Sequence, residues 1–210
     1  ITERTRAILF VDLYGQTPNI DKLKKIAEDH GLMLIEDAAQ SFGSEYMGQK
    51  VGSLVDITAC SFNPVKNLGA MGDSGCVTGH KGLVDLARMY RDHGRQEKFT
   101  YEFVGYNARI DNMQAKIVDA KLPYLDKWLD KKRTLCRHYS DELKHHYVTP
   151  KETPWSKHTY YVYVLQHERR DWIREELRKR GIATNIHYPK PNNIQPAFSK
   201  YACDLSITEH

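Results

Sequence analysis

The sequence lacks the features of membrane, fibrous and secreted proteins. Its longest apolar run, from Ala7 to Val11, is far too short to cross a bilayer, and no charged-then-apolar signal peptide opens the chain. Gly and Pro, with 13 and 8 of 210 residues, are too sparse for a linker-like or fibrous protein. These absences indicate a soluble globular protein, and the cytoplasm is the expected location.

Cysteine is scarce, and basic charge is not concentrated anywhere. Cys60, Cys76, Cys136 and Cys203 include no C-x-x-C pair and have no histidine nearby at metal-ligand spacing, so free thiols are expected and no metal site is predicted. Lys and Arg total 31 against 27 Asp and Glu, a net charge of +4 that is spread along the whole chain. This distribution disfavours nucleic acid as the main partner.

Three common ligand-binding motifs are also missing. No G-x-G-x-x-G follows a strand, and neither G-x-x-x-x-G-K-[ST] nor H-E-x-x-H is present. The segment GAMGDSG, residues 69–75, resembles a phosphate loop but lacks the lysine and the helix that should follow. Its glycines are better explained by backbone that passes close to a ligand and turns into the next strand.

The sequence does contain an alternation of strand and helix patterns. The segments AILFVDLYG, LMLIED, ITACSF and GCVTG predict strands. Helices are predicted over residues 19–30, with Gly31 as the stop signal, and over residues 83–92. This alternation is typical of a mostly parallel sheet with helices on its faces, so an α/β fold is predicted.

From Asp111 the pattern changes to a long helical stretch, in which Pro123 predicts a kink or a break. Beyond it, TYYVYVLQ predicts a strand, RRDWIREELRKRG an amphipathic helix, and IATNIHYP a strand or an extended segment. The sequence therefore predicts two domains, with residues 1–115 in a large domain and residues 116–210 forming a long linking helix and a smaller α+β domain.

Polar side chains follow two of the predicted strands. Asp37 ends one strand, with Gln40 three residues later, and Ser61 and Lys66 follow the end of another. In parallel α/β sheets ligands bind at the carboxyl ends of strands, so a carboxylate, a hydroxyl and an amine are expected at one edge. Two of these groups also have an ordinary explanation: Asp37 as a helix cap, and Lys66 as a lysine that reaches solvent.

Pyridoxal phosphate is one ligand that would use all three groups. A lysine can form a Schiff base with its aldehyde, an aspartate can keep its pyridine nitrogen protonated, and a hydroxyl can bind a phosphate oxygen. An α/β scaffold with a solvated surface lysine remains the alternative.

A family resemblance that runs over nearly all 210 residues rests on nine collinear segments: DLYGQ, IEDAAQSFGSEYMGQKVGSLVD, SFNPVKNLGAMGDSG, RDHG, GYNARIDNMQA, LPYLDKW, RRDWIREELRKRGIAT, HYPKP and IQPAF. In this order and spacing they resemble the DegT/DnrJ/EryC1/StrS family of sugar aminotransferases. The resemblance implies a fold-type I, pyridoxal-phosphate-dependent homodimer that moves an amino group from glutamate or glutamine to a keto sugar, usually nucleotide-linked. Residues 1–115 would be the C-terminal half of its large cofactor-binding domain.

The resemblance also implies roles for individual residues. Lys66 matches the Schiff-base lysine, which also shuttles the proton. Asp37 matches the partner of the pyridine nitrogen, Gln40 a contact to the ring face or its phenolic oxygen, and Ser61 the phosphate-binding hydroxyl. Asn107 matches an asparagine that reaches the phosphate of the neighbouring subunit's cofactor.

Other matching positions concern the sugar. His187 and Tyr188 lie in a segment that the resemblance places near the sugar site. Three positions depart from the family pattern: Asp12 and Asn193 stand where histidine is more frequent, and Asn63 where an aromatic residue is commoner. These departures are expected to alter the sugar accepted and to leave the cofactor residues intact.

Two further functions remain open. A non-catalytic relative could act as a regulator or partner subunit, and a sugar dehydratase would carry histidine at the position of Lys66, which makes dehydration the weaker hypothesis. Family members usually have a substantial segment before the position of Ile1 and a longer C-terminal end. The chain is therefore expected to be a fragment.

Overall fold

The computed structural model describes residues 1–201 and residue 205, and these form two compact units. One consists of Ile1–His146 and Pro150–Tyr163, and the other of Tyr147–Thr149 and Val164–His210. Within the described residues, no helix has the length and apolar character needed to cross a membrane. The domain boundary predicted between residues 115 and 116 stays a prediction.

Nine strands and five α-helices are found in the described residues. The strands are β1 (Ala7–Val11), β2 (Met33–Asp37), β3 (Glu45–Tyr46), β4 (Gln49–Lys50), β5 (Ile57–Ser61), β6 (Gly75–Gly79), β7 (Arg95–Glu97), β8 (Thr100–Tyr101) and β9 (Ser156–Lys157). The helices are α1 (Ile20–His30), α2 (Lys81–Tyr90), α3 (Asn112–Lys121), α4 (Leu125–Leu143) and α5 (Arg170–Lys179).

The first unit is built on a four-stranded sheet in the order β1-β2-β5-β6. β1 and β5 both pair with β2 in parallel, whereas β6 pairs with β5 in the antiparallel direction. The register sets Val11 opposite Asp37, and Asp37 opposite Ala59. The predicted α/β fold with a mostly parallel sheet is confirmed, and its antiparallel strand lies at an edge.

Helix α1 forms where its capping residues predict it. The Asn19 side chain accepts a hydrogen bond of 3.0 Å from the backbone N–H of Lys22, and Gly31 ends the helix at a φ of +60°. Ile20, which is fully buried, joins a core cluster that includes Leu34 of β2. The apolar side of α1 therefore covers one face of the sheet.

The predicted break at Pro123 is confirmed. α3 gives way to a 3-10 turn over Leu122–Tyr124, and α4 begins directly after it. Proline has no N–H and cannot continue the α-helical hydrogen bonding. The first turns of α4 bury Leu125 and Leu129 in a cluster with Leu68.

The strand predicted over residues 159–166 is wrong. The backbone N–H groups of Thr159 and Tyr161 instead donate to the carbonyls of Gly15 and Tyr14, at 2.9 and 2.8 Å. The start of the segment therefore lies against the turn after β1 rather than in a sheet, and its last residue, Gln166, forms an isolated bridge with Val148. Residues 182–189 also contain no strand, so the strand alternative for that segment is wrong, whereas the predicted helix α5 is confirmed.

The thiols agree with the sequence prediction where they are described. Cys60, Cys76 and Cys136 are free, and Cys203 lies outside the described residues. No group of three or more His, Cys, Asp or Glu side chains in the described part of the chain is arranged to hold a metal ion.

The two faces of the four-stranded sheet have different surroundings. Side chains alternate between the faces along each strand, and the register fixes which residues share a face. The buried face carries Ile8, Phe10, Leu34, Glu36, Thr58, Cys60 and Cys76. The open face carries Leu9, Val11, Met33, Asp37, Ala59, Ser61 and Val77, of which Leu9 is 63% exposed.

Candidate active site

Two predicted site residues lie on the open face at the carboxyl edge of the sheet. Asp37 ends β2 opposite Ala59 of β5, and Ser61 ends β5 two residues further along. Residues two apart in a strand share a face, so the carboxylate and the hydroxyl project from the same side of neighbouring strand ends. Both side chains are half-buried.

One of the two carboxylate oxygens of Asp37 is engaged by the described residues. Its Oδ1 accepts a hydrogen bond of 3.0 Å from the backbone N–H of Ala39, at the start of the turn after β2. Within the described part of the chain, Oδ2 accepts no hydrogen bond. Asp37 is thus oriented by its own turn and keeps one oxygen available for a donor on a ligand.

The hydroxyl of Ser61 also retains bonding capacity. Its Oγ accepts a hydrogen bond of 3.3 Å from the backbone N–H of Asn63, which leaves its proton available for donation. A ligand with anionic oxygens is the natural acceptor for such a proton.

Lys66 lies in a closed loop that directly follows β5. The loop is closed by a hydrogen bond of 2.8 Å from the N–H of Ala70 to the carbonyl of Phe62. A Cβ atom at Gly69 would clash with the carbonyl oxygen of Pro64, so only glycine permits this approach. The glycine that follows Lys66 is therefore explained by the closure of the loop.

The amine of Lys66 lies against an aromatic ring. Its Nζ is 4.6 Å from the centroid of Tyr161, and it forms no ion pair with any described residue. The neighbouring Asn67 donates to the carbonyl of Phe42 at 3.2 Å and accepts from Nζ of Lys132 at 3.0 Å, and burial lowers the pKa of that lysine. The amine is thus positioned by the loop and the ring without being neutralised by a carboxylate.

Gln40 is buried and connects the site to the turn after β1. Its Oε1 accepts a hydrogen bond of 2.7 Å from the backbone N–H of Tyr14, whose carbonyl in turn accepts from the N–H of Tyr161. These bonds link the turn after Asp37 to the ring beneath Lys66. The contact of Gln40 with a cofactor ring, which the resemblance implies, stays a prediction.

Sequence reasoning missed Tyr161 and Asn67. Tyr161 lies in a segment whose apolar alternation predicted a strand, so no signal in the sequence marked it as a site residue. Asn67 directly follows Lys66, and an amide beside a candidate lysine in a turn is a signal that could have identified it.

Asn107 lies elsewhere on the first unit. It forms an isolated bridge with Asp92, and its Oδ1 accepts a hydrogen bond of 3.4 Å from Arg109. Burial opposes the ionisation of Asp92, but its ion pairs with Arg95 and Arg109 leave its pKa lowered. Asn107 is exposed, and the structure gives it no contact with the other predicted site residues of the described chain.

The residues implied in sugar recognition belong to both units, and each unit is described by itself. His187 and Tyr188 belong to the second unit, where their rings meet edge to face with centroids 5.3 Å apart. Asn193 is buried in a 3-10 turn of the same unit. Asn63 belongs to the loop of Lys66 and donates to Asp73 at 2.5 Å. The roles of these residues toward a sugar stay predictions.

Two cavities of the described chain lie away from these groups. One of about 630 Å³ is lined by α2 and the loop after it, including Arg95 and Arg109, and one of about 810 Å³ is lined by residues that include Lys24 and Asp56. Neither is lined by Asp37, Ser61 or Lys66. The candidate site is therefore an edge site and not one of these cavities.

A mostly parallel α/β sheet with an acid at the end of one strand and a lysine beyond the next agrees with the fold-type I transferase fold that the resemblance implies. The family follows from direct comparison, because residues 1–209 match the model of the DegT/DnrJ/EryC1/StrS aminotransferase family. The chain belongs to this family.

Known relatives share the sequence and the fold. Erythromycin biosynthesis sensory transduction protein EryC1 from Saccharopolyspora erythraea is 42% identical over 202 residues, which are 95% of this chain and 55% of that protein. A dTDP-3-amino-3,4,6-trideoxy-alpha-D-glucose transaminase from Streptomyces venezuelae is 39% identical over 202 residues, 95% of this chain and 53% of that protein. The crystal structure of S. venezuelae DesV in complex with a ketimine intermediate matches with a TM-score of 0.94 and 38% identity, over 98% of this chain and 56% of that one. The chain thus spans about half the length of the curated relatives it matches.

Proposed function

We propose that the protein to which this chain belongs is a pyridoxal-phosphate-dependent sugar aminotransferase. It transfers an amino group from glutamate or glutamine to a keto sugar, most often nucleotide-linked, in amino-sugar biosynthesis. Family membership supports the reaction class, and the transaminase relative from Streptomyces venezuelae supports a nucleotide-linked sugar. The observation that carries the proposal is Lys66, whose amine has no carboxylate partner among the described residues. It lies in a closed loop that leads from Ser61, one strand away from Asp37.

The residues at the edge fit this cofactor. The uncommitted Oδ2 of Asp37 can accept a hydrogen bond from a protonated pyridine nitrogen, and the proton of Ser61 can be donated to a phosphate oxygen. Bound pyridoxal phosphate would supply an electron-withdrawing ring that makes the Cα proton of an amino acid removable.

Lys66 can both hold the aldehyde carbon and move the proton. Backbone hydrogen bonds from Ala70 to Phe62 and from Lys66 to Asn63 hold the loop, so the side chain of Lys66 starts from a fixed point of the backbone. Placing a base at the reacting atom in this way replaces an encounter with a positioned group. Tyr161 lies against Nζ and limits where the amine can move.

We also propose a homodimer with shared sites, located in the cytoplasm and with neither nucleic acid nor membrane as a partner. Asn107 supports the dimer, because it is exposed and held at Asp92 rather than at Lys66, as a residue that serves a neighbouring subunit would be. Sedimentation of the full-length protein checks this point, and a monomer that still binds the cofactor tightly would contradict it.

Borohydride trapping tests the proposed function. The protein is mixed with pyridoxal phosphate, reduced and digested, and we expect the pyridoxyl label on the peptide that contains Lys66. Lys66→Ala should abolish this label, whereas the control Lys25→Ala, which changes an exposed lysine paired with Asp29, should leave it unchanged. A label spread over exposed lysines without preference for Lys66 would refute the proposal.

A regulatory role is the second candidate, and the name of the EryC1 relative, a sensory transduction protein, favours it. A purely regulatory chain would show neither selective labelling of Lys66 nor a visible absorbance band with pyridoxal phosphate. The trapping experiment therefore separates the two candidates.

A further inference from the structure

Two acidic side chains are completely buried beneath the candidate site. Asp12 and Glu36 both have 0% exposure. Phe10 of β1 is opposite Glu36, so Asp12, two residues beyond Phe10, projects toward the same buried face as Glu36. Within the described chain neither acid forms an ion pair with a lysine, arginine or histidine. Two ionised carboxylates without a cation would be costly in such a place.

Each acid has one satisfied oxygen and one unsatisfied oxygen. Asp12 Oδ2 accepts a hydrogen bond of 2.7 Å from the hydroxyl of Ser41. Glu36 Oε2 accepts from the hydroxyl of Thr58 at 2.7 Å and from the N–H of Gly52 at 3.1 Å. The other two oxygens, Oδ1 of Asp12 and Oε1 of Glu36, are buried and have no hydrogen-bond partner among the residues that the structure describes. A proton carried by one acid can be donated to the other and would satisfy both.

The titratable groups around Asp12 all favour its protonated form. Burial, and then the charge of Glu36 and of Asp37, raise the pKa of Asp12 to about 8. From β5 the neighbouring titratable group is Cys60, whose own pKa is raised by its hydrogen bond with Cys76 and by burial. From the turn after β2, the hydrogen bond of the Ser41 hydroxyl lowers the pKa of Asp12, but burial and the neighbouring carboxylates outweigh it.

We propose that Asp12 and Glu36 hold one proton between them, and that in this neutral form Asp12 is a positioning residue for the turn that carries Asp37 and Gln40. Asp12 contacts that turn at two points: its N–H donates to the carbonyl of Asp37 at 3.1 Å, and its carboxyl accepts the hydroxyl of Ser41. The shared proton stands independently of the proposed function, whereas its consequence for cofactor binding rests on that function.

The proposal predicts the sign of a pH effect on stability. In the folded chain Asp12 keeps its proton up to about pH 8, whereas an unfolded aspartate with a pKa of 3.8 has lost it. The folded state therefore binds more protons between these values, so stability falls as pH rises. Asp12 alone should lower the folding equilibrium constant by up to about tenfold per pH unit in this range. Above the pKa of Asp12 in the folded state, its contribution no longer changes with pH.

Denaturant unfolding at a series of pH values tests the shared proton. Asp12→Asn keeps the shape and the acceptor for Ser41, and its amide can donate to Glu36 without a titrating proton. The slope of stability against pH reports how many more protons the folded state binds than the unfolded state. Between about pH 5 and pH 8 we expect this number to be lower in Asp12→Asn than in the wild type by about one. The control Asp29→Asn, at an exposed residue paired with Lys25, should keep the wild-type slope. A wild-type slope in Asp12→Asn would overturn the proposal.

A second measurement needs no variant. Infrared spectra of the folded wild-type protein near neutral pH should show the carbonyl band of a protonated carboxyl group, which disappears at higher pH. Absence of this band near neutrality would also overturn the shared proton.

The positioning role has its own readout. Affinity for pyridoxal phosphate should fall in the wild type as Asp12 ionises and should not fall in this way in Asp12→Asn. The same loss in both proteins would overturn the positioning role. If the cofactor does not bind to either protein at any pH, the proposed function fails, while the unfolding slope still decides whether the acids share a proton.

Discussion

The two faces of the β1-β2-β5-β6 sheet use the same strands differently. On the buried face, Leu34, Glu36 and Thr58 are almost completely enclosed. On the open face, Leu9 is largely exposed, and Asp37 and Ser61 reach the carboxyl edge with bonding capacity to spare.

Consecutive residues of β2 show what this difference does to one kind of side chain. Glu36 and Asp37 are both acidic, but strand alternation sends them to opposite faces. Glu36 has no access to solvent, and its charge helps to raise the pKa of the buried Asp12. Asp37 keeps one oxygen accessible, so its environment suits a ligand. The face, rather than the residue type, separates a structural acid from a candidate functional one.

The largest expected effect compares leucines on the two faces. Leu34→Ala should lower the free energy of unfolding by about 2–5 kcal/mol, because it opens a cavity in the core. Leu9→Ala, at a residue that is mostly exposed, should change it by less than about 0.5 kcal/mol. Chemical denaturation of both variants measures the difference, and equal losses would mean that the open face is covered in solution.

A smaller effect compares hydroxyls on β5. Thr58→Val keeps the shape but removes a donor to Glu36, so it should cost about 1–3 kcal/mol of stability. Ser61→Ala should leave stability within about 0.5 kcal/mol but weaken binding of pyridoxal phosphate by roughly 1.5–3 kcal/mol, since a hydrogen bond to a charged group is lost. Unfolding curves and cofactor titrations of both variants check this division. A stability loss in Ser61→Ala as large as that in Thr58→Val would break it.

Much of the fold was predictable from the sequence, because the spacing of its apolar residues and its capping residues indicate the same elements. The helix between Asn19 and Gly31, the strands β1, β2 and β5 and the break at Pro123 all have such local signals. The 159–166 segment has the local pattern of a strand, but its backbone groups at Thr159 and Tyr161 bond to the turn after β1. That outcome depends on tertiary partners, which strand propensity does not contain.

Some residues of the candidate site were likewise predictable from the sequence, and others were not. Asp37, Ser61 and Lys66 could be selected because the carboxyl ends of strands are where α/β sheets bind ligands. Tyr161 could not be selected, because only the folded chain brings its ring to Lys66. Asp12 was singled out as a departure expected to alter the sugar accepted, and the structure places it in a buried pair of acids, which no local pattern predicts.

The protonation state of the ring nitrogen in bound, isotope-labelled pyridoxal phosphate, measured by NMR, tests most directly the claim that the open face carries the cofactor site. The account predicts a protonated nitrogen in the wild type and in Asp12→Asn, and an unprotonated nitrogen in Asp37→Asn, since only Asp37 offers its oxygen to the ring. An unprotonated nitrogen in the wild type, or a nitrogen that stays protonated in Asp37→Asn, would contradict it.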